Sequence, residues 1–319
     1  MVLYITVLRV LAACLITNSH YSGVYPIDLI ANGGLIGDIL FFAVSGYCLC
    51  QVRDSFPRWY GRRLLRCYLP VVVITLVYML TGFYSLGEHD LLWWYVYPTA
   101  YHFVASIVVL YIPYYIVVKT PSLRSRLPWL MAAVFMVYMA VYGFVYDRSY
   151  YHIDNVREPM IRFLFFESML LGAWFRQKDP VFRSKRPQGG DVMLVLCACA
   201  AYFAGKLLFS RNGSLGGLQF VNQLLIFGLL YGVFRLFAML DSGFEKHLSG
   251  RTRRILEYLS SITLEIYAVQ YVLIDLLRPR FSFPVNWFVL TGSILAAAAL
   301  LHGACQFLQG LPARKKISC

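Results

Sequence analysis

Ten apolar runs, each long enough to cross the hydrocarbon core of a bilayer, recur along this chain and leave little between them. They fall at roughly 1–19, 35–52, 69–85, 94–118, 129–146, 160–176, 192–209, 217–240, 256–277 and 285–308. A helical span needs about 20 predominantly apolar residues, because each adds about 1.5 Å of rise. In hydrocarbon every backbone N–H and C=O must be satisfied inside the protein, so only helices or a closed barrel can span. The expected fold is all-α: a polytopic membrane helical bundle of about ten transmembrane helices, forming one domain over residues 1–319. Hydrophobic residues make up 59% of the chain and charged residues 14%, and no segment remains for a soluble domain.

The formal net charge of +13 invites a nucleic-acid reading, but its distribution argues against one. With the N-terminus placed inside, the inner loops hold Arg53, Arg58, Arg62, Arg63 and Arg66, then Lys119, Arg124 and Arg126. Arg176, Lys178, Arg183, Lys185 and Arg186 follow, then Lys246, Arg251, Arg253 and Arg254, and the tail adds Arg314, Lys315 and Lys316. The outer loops and helix ends hold only Arg148, Arg157, Arg162, Lys206, Arg211, Arg278 and Arg280. Twenty basic residues against seven orient the bundle with both termini in the cytoplasm. The expected location is a multi-pass place in the cell membrane, among membrane lipids and with no nucleic-acid partner. The first run lacks a basic n-region and a small-x-small cleavage site and carries Arg9 internally, so it reads as a retained helix and not a signal peptide. The eight cysteines lie mostly within apolar runs and read as small buried hydrophobes, not as metal ligands or a disulfide set; no metal is expected.

The first run carries the pair with most chemical meaning. Arg9 and His20 are eleven positions apart, almost three whole turns, so they share one helix face with a rise of about 16 Å between them. An arginine at membrane depth is costly and normally faces a bundle interior or a wet cavity. Histidine suits general-base work near neutral pH. The bland alternative is a snorkelling arginine and an interfacial histidine. Asp38, expected in the first turn of the second helix at the depth of His20, either orients the imidazole or answers the helix dipole. Arg62, Arg63 and Arg66 form one cationic helix face at the inner mouth. Guanidinium forks suit phosphate, although positive-inside residues and lipid contact explain any single one of them. His102, Glu167, Glu265 and Gln270 are further polar groups at membrane depth, with Glu167 and Glu265 as candidates to neutralise Arg9.

These residues in this order resemble the integral-membrane acyltransferase-3 family. That family places an arginine and a histidine in its first helix with ten residues between them, as Arg9 and His20 stand. Its second-helix string is matched by GDILFFAVSG from Gly37 to Gly46, and its Arg-x-x-Arg element by Arg63 to Arg66. Tyr101-His102-Phe103 and Tyr111-Ile-Pro113 are similar to its fourth-helix elements, without the tryptophan. The late-helix string reads ITLEIYAVQ from Ile262 to Gln270, where the family usually ends on histidine, so no role of that histidine passes to Gln270. The resemblance implies acyl transfer, often of acetyl, from a coenzyme A thioester to a sugar hydroxyl on a surface polysaccharide or lipid-linked glycan. A small form of this kind is similar to those that modify bacterial exopolysaccharide, capsule or O-antigen.

Residues and resemblance together imply one reaction. Arg62, Arg63 and Arg66 bind the phosphates of cytoplasmic acyl-CoA, most simply acetyl-CoA. His20 then acts as general base on a glycan hydroxyl, with Asp38 orienting it and Arg9 steadying the donor or its oxyanion. Two other readings compete: a transporter or flippase of a glycan or acyl precursor, and a non-catalytic scaffold in polysaccharide assembly.

Overall fold

The computed structural model describes residues 2–97 and 101–310; the basic tail residues Arg314, Lys315 and Lys316 lie outside them. The described residues form helices and connecting segments, with no strand. In chain order these are α1 (Leu3–Ser19), α2 (Gly34–Leu49), α3 (Phe56–Leu80), α4 (Leu91–Tyr95), α5 (His102–Lys119), α6 (Pro121–Arg124) and α7 (Leu127–Phe144). There follow α8 (Ile161–Arg183), α9 (Gly189–Arg211), α10 (Phe220–His247), α11 (Gly250–Ser261), α12 (Thr263–Leu277) and α13 (Val285–Leu308). Seven helical stretches are long and apolar enough to cross a membrane, or eight if α11 and α12 make one broken span. The chain is therefore a polytopic helical membrane protein, as its apolar runs require.

Each of the ten runs has its helix, though the ends differ, and three differences bear on the site. The run at 94–118 is divided: α4 is a separate short helix whose N-cap Asp90 accepts from the Trp93 N–H at 2.7 Å, and α5 begins only at His102. The run at 256–277 is broken by a 66° bend between α11 and α12. The sequence of α11 explains the bend. Its Arg251, Arg253, Arg254 and Glu257 are too polar for hydrocarbon, while Ser261 turns its hydroxyl onto the Tyr258 carbonyl at 2.7 Å, a local bond that competes with helix continuation. Finally α8 runs on to Arg183, with Arg176, Lys178 and Asp179 in its last turns.

Helix α1 lies at the centre, packed against α2, α10, α11 and α12. Its first turn is tied down by charge. The Tyr4 N–H donates to the Asp241 carboxylate of α10 at 2.8 Å, and the Tyr4 hydroxyl donates to Asp179 of α8 at 2.8 Å. Arg183 closes the group by pairing with Asp241 at 2.5 Å and Asp179 at 3.7 Å. A carboxylate at a helix N-terminus satisfies an orphan N–H and opposes the helix dipole. On the periphery, α7, α9 and α13 turn apolar side chains such as Trp129, Leu196 and Phe307 outward, as lipid-facing helices do.

The closest packing joins α2 to α8. Gly46 faces the backbone of Met169, and Gly172 faces the carbonyl of Ala43, each so closely that a methyl group would overlap those atoms. One turn along, Phe42 stacks on Phe165 with ring centroids 4.2 Å apart. Small residues let membrane helices approach where no hydrophobic drive between helices exists. Gly46→Ala and Gly172→Ala should each destabilise the bundle by about 1–3 kcal/mol through overpacking, read as a lower melting temperature in detergent. A parental melting temperature for both would contradict this packing.

Candidate functional site

The site is built along one stripe of α1. Arg9, Ala13, Ile16, Thr17 and His20 fall at i, i+4, i+7, i+8 and i+11, which a 3.6-residue repeat places on one face. Between the two polar ends a narrow, partly open cleft lies against Ala13, Ile16 and Thr17. Its other walls are Phe41 of α2, Phe103 of α5, and Thr263, Leu264, Ile266 and Tyr267 around the start of α12. The cleft is almost wholly apolar.

At the Arg9 end, positive charge accumulates. The half-buried Arg9 guanidinium donates to the Cys48 Sγ at 3.3 Å and lies within electrostatic reach of Arg66 and of the Tyr111 hydroxyl. Arg63 and Arg66 in turn lie within reach of Tyr111, and the Arg63 guanidinium stands 6.0 Å from the centre of the Trp59 ring. Three guanidinium groups from α1 and α3 thus gather around one phenol of α5. Among the described residues no carboxylate lies within ion-pair distance of any of the three, and the Arg63 Nε is buried without a hydrogen-bond partner. Arg66 is exposed, so the group opens outward from Arg9. Arg62 stands apart: it is exposed and pairs with Asp54.

At the other end, His20 caps the C-terminus of α1. Its ring meets the Tyr271 ring edge-on at 4.8 Å. Asp38 is buried and lies within electrostatic reach of Tyr267 and Tyr271. The imidazole and the carboxylate therefore share Tyr271 as a neighbour, and no direct hydrogen bond joins them among the described residues. Asp38 also lies deeper than expected, in the second turn, because α2 already starts at Gly34. The segment after His20 is clipped back onto the helix end by Asn18, whose amide donates to the carbonyls of Ile30 at 2.8 Å and Asn32 at 3.0 Å.

The remaining intramembrane polar groups have other neighbours. Glu265 is bound to His302 of α13 at 2.7 Å, and His302 continues to Gln306 at 2.8 Å. Glu167 is buried with one oxygen unpartnered and lies within reach of Tyr138 of α7. Neither carboxylate therefore neutralises Arg9, contrary to the expectation from sequence. Gln270 is fully buried in α12. Sequence reasoning did not single out Tyr271, which lies one position beyond the late-helix string, or give Tyr111 a role, although the Tyr-x-Pro element marks it. Among the described residues no group of three or more His, Cys, Asp or Glu side chains is placed to hold a metal ion.

Neither a curated protein nor a solved structure matches the chain. The family model Acyl_transf_3, described as an acyltransferase domain, matches residues 2–303, a range that takes in α1 to α12 and most of α13. The chain belongs to this acyltransferase family.

Proposed function

We propose that the protein moves an acyl group, most simply acetyl, from cytoplasmic acyl-CoA to a hydroxyl of a surface or lipid-linked glycan across one membrane domain. The observation that carries this reading is the single stripe of α1, where an unneutralised cationic group, an apolar cleft and a histidine follow one another. The excess of basic residues in alternate loops supports a ten-span arrangement with both termini cytoplasmic, which sets the arginines at the cytoplasmic end and His20 at the outer end. In this reading Arg63 and Arg66 hold the donor's phosphates, and Arg9, the deepest of the three, steadies the donor where it enters the cleft. Arg62 contributes general attraction only, since Asp54 already engages it.

The pantetheine arm then lies in the cleft with its thioester near His20. The acceptor, too wide for the cleft, arrives from the outer face. His20 takes the hydroxyl proton, the oxygen attacks the thioester carbonyl, the C–S bond breaks and the CoA thiolate leaves along the cleft, to be protonated in water. Asp38 acts on His20 through Tyr271, not by direct contact. Acyl transfer without a gradient separates this reading from a transporter, and dependence on His20 separates it from a scaffold.

Two outcomes test the reading. Arg63→Ala and Arg66→Ala should each weaken coenzyme A binding about tenfold or more through loss of charge-assisted phosphate contacts, whereas Arg62→Ala should change it by less than about threefold. Isothermal titration of the detergent-purified proteins measures this, and equal losses at all three positions would reduce the cluster to a general surface charge. His20→Ala should keep donor affinity and lower the rate of acceptor acylation by about 10²–10⁴. Asp38→Asn should cost less. Near-parental turnover in His20→Ala at saturating donor would remove the proposed base.

A further inference from the structure

The outer end of the bundle carries a second cationic group that the donor path does not use. His102 at the start of α5 lies within electrostatic reach of Arg157 and Arg162. Arg162, at the start of α8, donates to the Tyr97 hydroxyl at 3.1 Å, and its Nε is buried with no partner. Arg157 is exposed. Topology does not explain these charges, because basic residues are scarce on this side, and two of the others there are paired. Lys206 binds Asp154 at 2.8 Å, and Arg278 reaches Asp275 at 3.9 Å and the Ser22 carbonyl at 3.2 Å. The nearby Glu158 lies within electrostatic reach of Tyr146. Among the described residues, no carboxylate lies within ion-pair distance of Arg157 or Arg162.

The group also sits beside the reaction path. His102 adjoins Phe103, which lines the cleft and whose ring meets those of Phe41 at 5.0 Å and Phe42 at 4.9 Å, in the turn after Asp38. Two helix N-termini, of α5 and α8, end here and add their positive poles. Guanidinium groups with free donors bind carboxylate or phosphate in forked geometry, and a neutral sugar offers them no charge to answer. We propose that His102, Arg157 and Arg162 form an acceptor-side anion site, so that the molecule acylated carries an acidic group, either a sugar carboxylate or a carrier phosphate, close to its reacting hydroxyl.

This inference deepens the acyltransferase reading and rests on it for the identity of the ligand as acceptor; the site itself is tested by binding alone. Purified protein in nanodiscs of neutral lipid would be titrated with an oligoglucuronate and with geranyl diphosphate, each against its neutral counterpart, a glucose oligomer and geraniol. Coenzyme A affinity would be measured in parallel. At least one anionic probe should bind at least tenfold more tightly than its neutral counterpart, and the better one names the source of the charge. Arg157→Gln and Arg162→Gln should each weaken that probe by about tenfold, Arg157→Glu should abolish its binding, and Arg162→Lys should restore part of it, all with coenzyme A affinity unchanged. Equal binding of charged and neutral probes, or of the parent and a folded Arg157→Glu protein, would overturn the site. Loss of coenzyme A binding by the parent protein would strike the donor reading instead and leave the anion site standing.

Discussion

An arginine at membrane depth with no carboxylate beside it among the described residues is the constraint from which the rest of the site follows. Burying a guanidinium in a low-dielectric bundle is tolerable only where charge, hydrogen bonds or water answer it. Arg9 has the Cys48 sulfur at 3.3 Å and further positive charge from Arg66 nearby, the reverse of neutralisation. The two buried carboxylates that might have answered it are placed elsewhere: Glu265 against His302 and Glu167 near Tyr138. Such a cluster is most stable with water or a polyanion among its donors, and the exposed Arg66 gives access to either.

The fold's contribution is to hold α1 still between two fixed ends. Asp241 and Asp179 grip its first turn through Tyr4, and Asn18 ties its last turn to the loop that follows. The glycine seam between α2 and α8 fixes the wall opposite, since neither helix can shift without a clash at Gly46 or Gly172. Asp38, Phe41 and Cys48 are carried on that wall, so the seam sets how closely they approach the α1 stripe. A reaction that depends on an acceptor hydroxyl reaching His20 within hydrogen-bond distance needs this rigidity, because misplacement by about 1 Å can cost about 10² in rate.

Much of this was legible in the sequence. Apolar runs forced helices because lipid supplies no hydrogen bonds, and the spacing of Arg9 and His20 placed them on one face before any coordinates. The break at Ile262 was not legible, because the apolar count over 256–277 hides a basic amphipathic α11 that ends in a serine pair. Pairing across helices was not legible either. The loop motif treats Arg62 and Arg63 alike, yet their positions on α3 differ by about 100°, which sends one to Asp54 and the other towards Tyr111. Glu265 looked like a counter-charge for Arg9 by depth alone, whereas its partner His302 lies 37 positions along the chain and has no local signal. Tyr271 escaped notice for a similar reason: its place beside His20 depends on how α12 docks against α1.

The central claim is that one helix joins a donor site on one side of the membrane to a base on the other. Sealed proteoliposomes with the protein in a single orientation test it directly, with acyl-labelled coenzyme A ester confined to the cytoplasmic side and a glycan acceptor confined to the opposite side. The account expects label on the acceptor while the freed coenzyme A stays in the donor compartment. Acylation only when donor and acceptor share a compartment would contradict it.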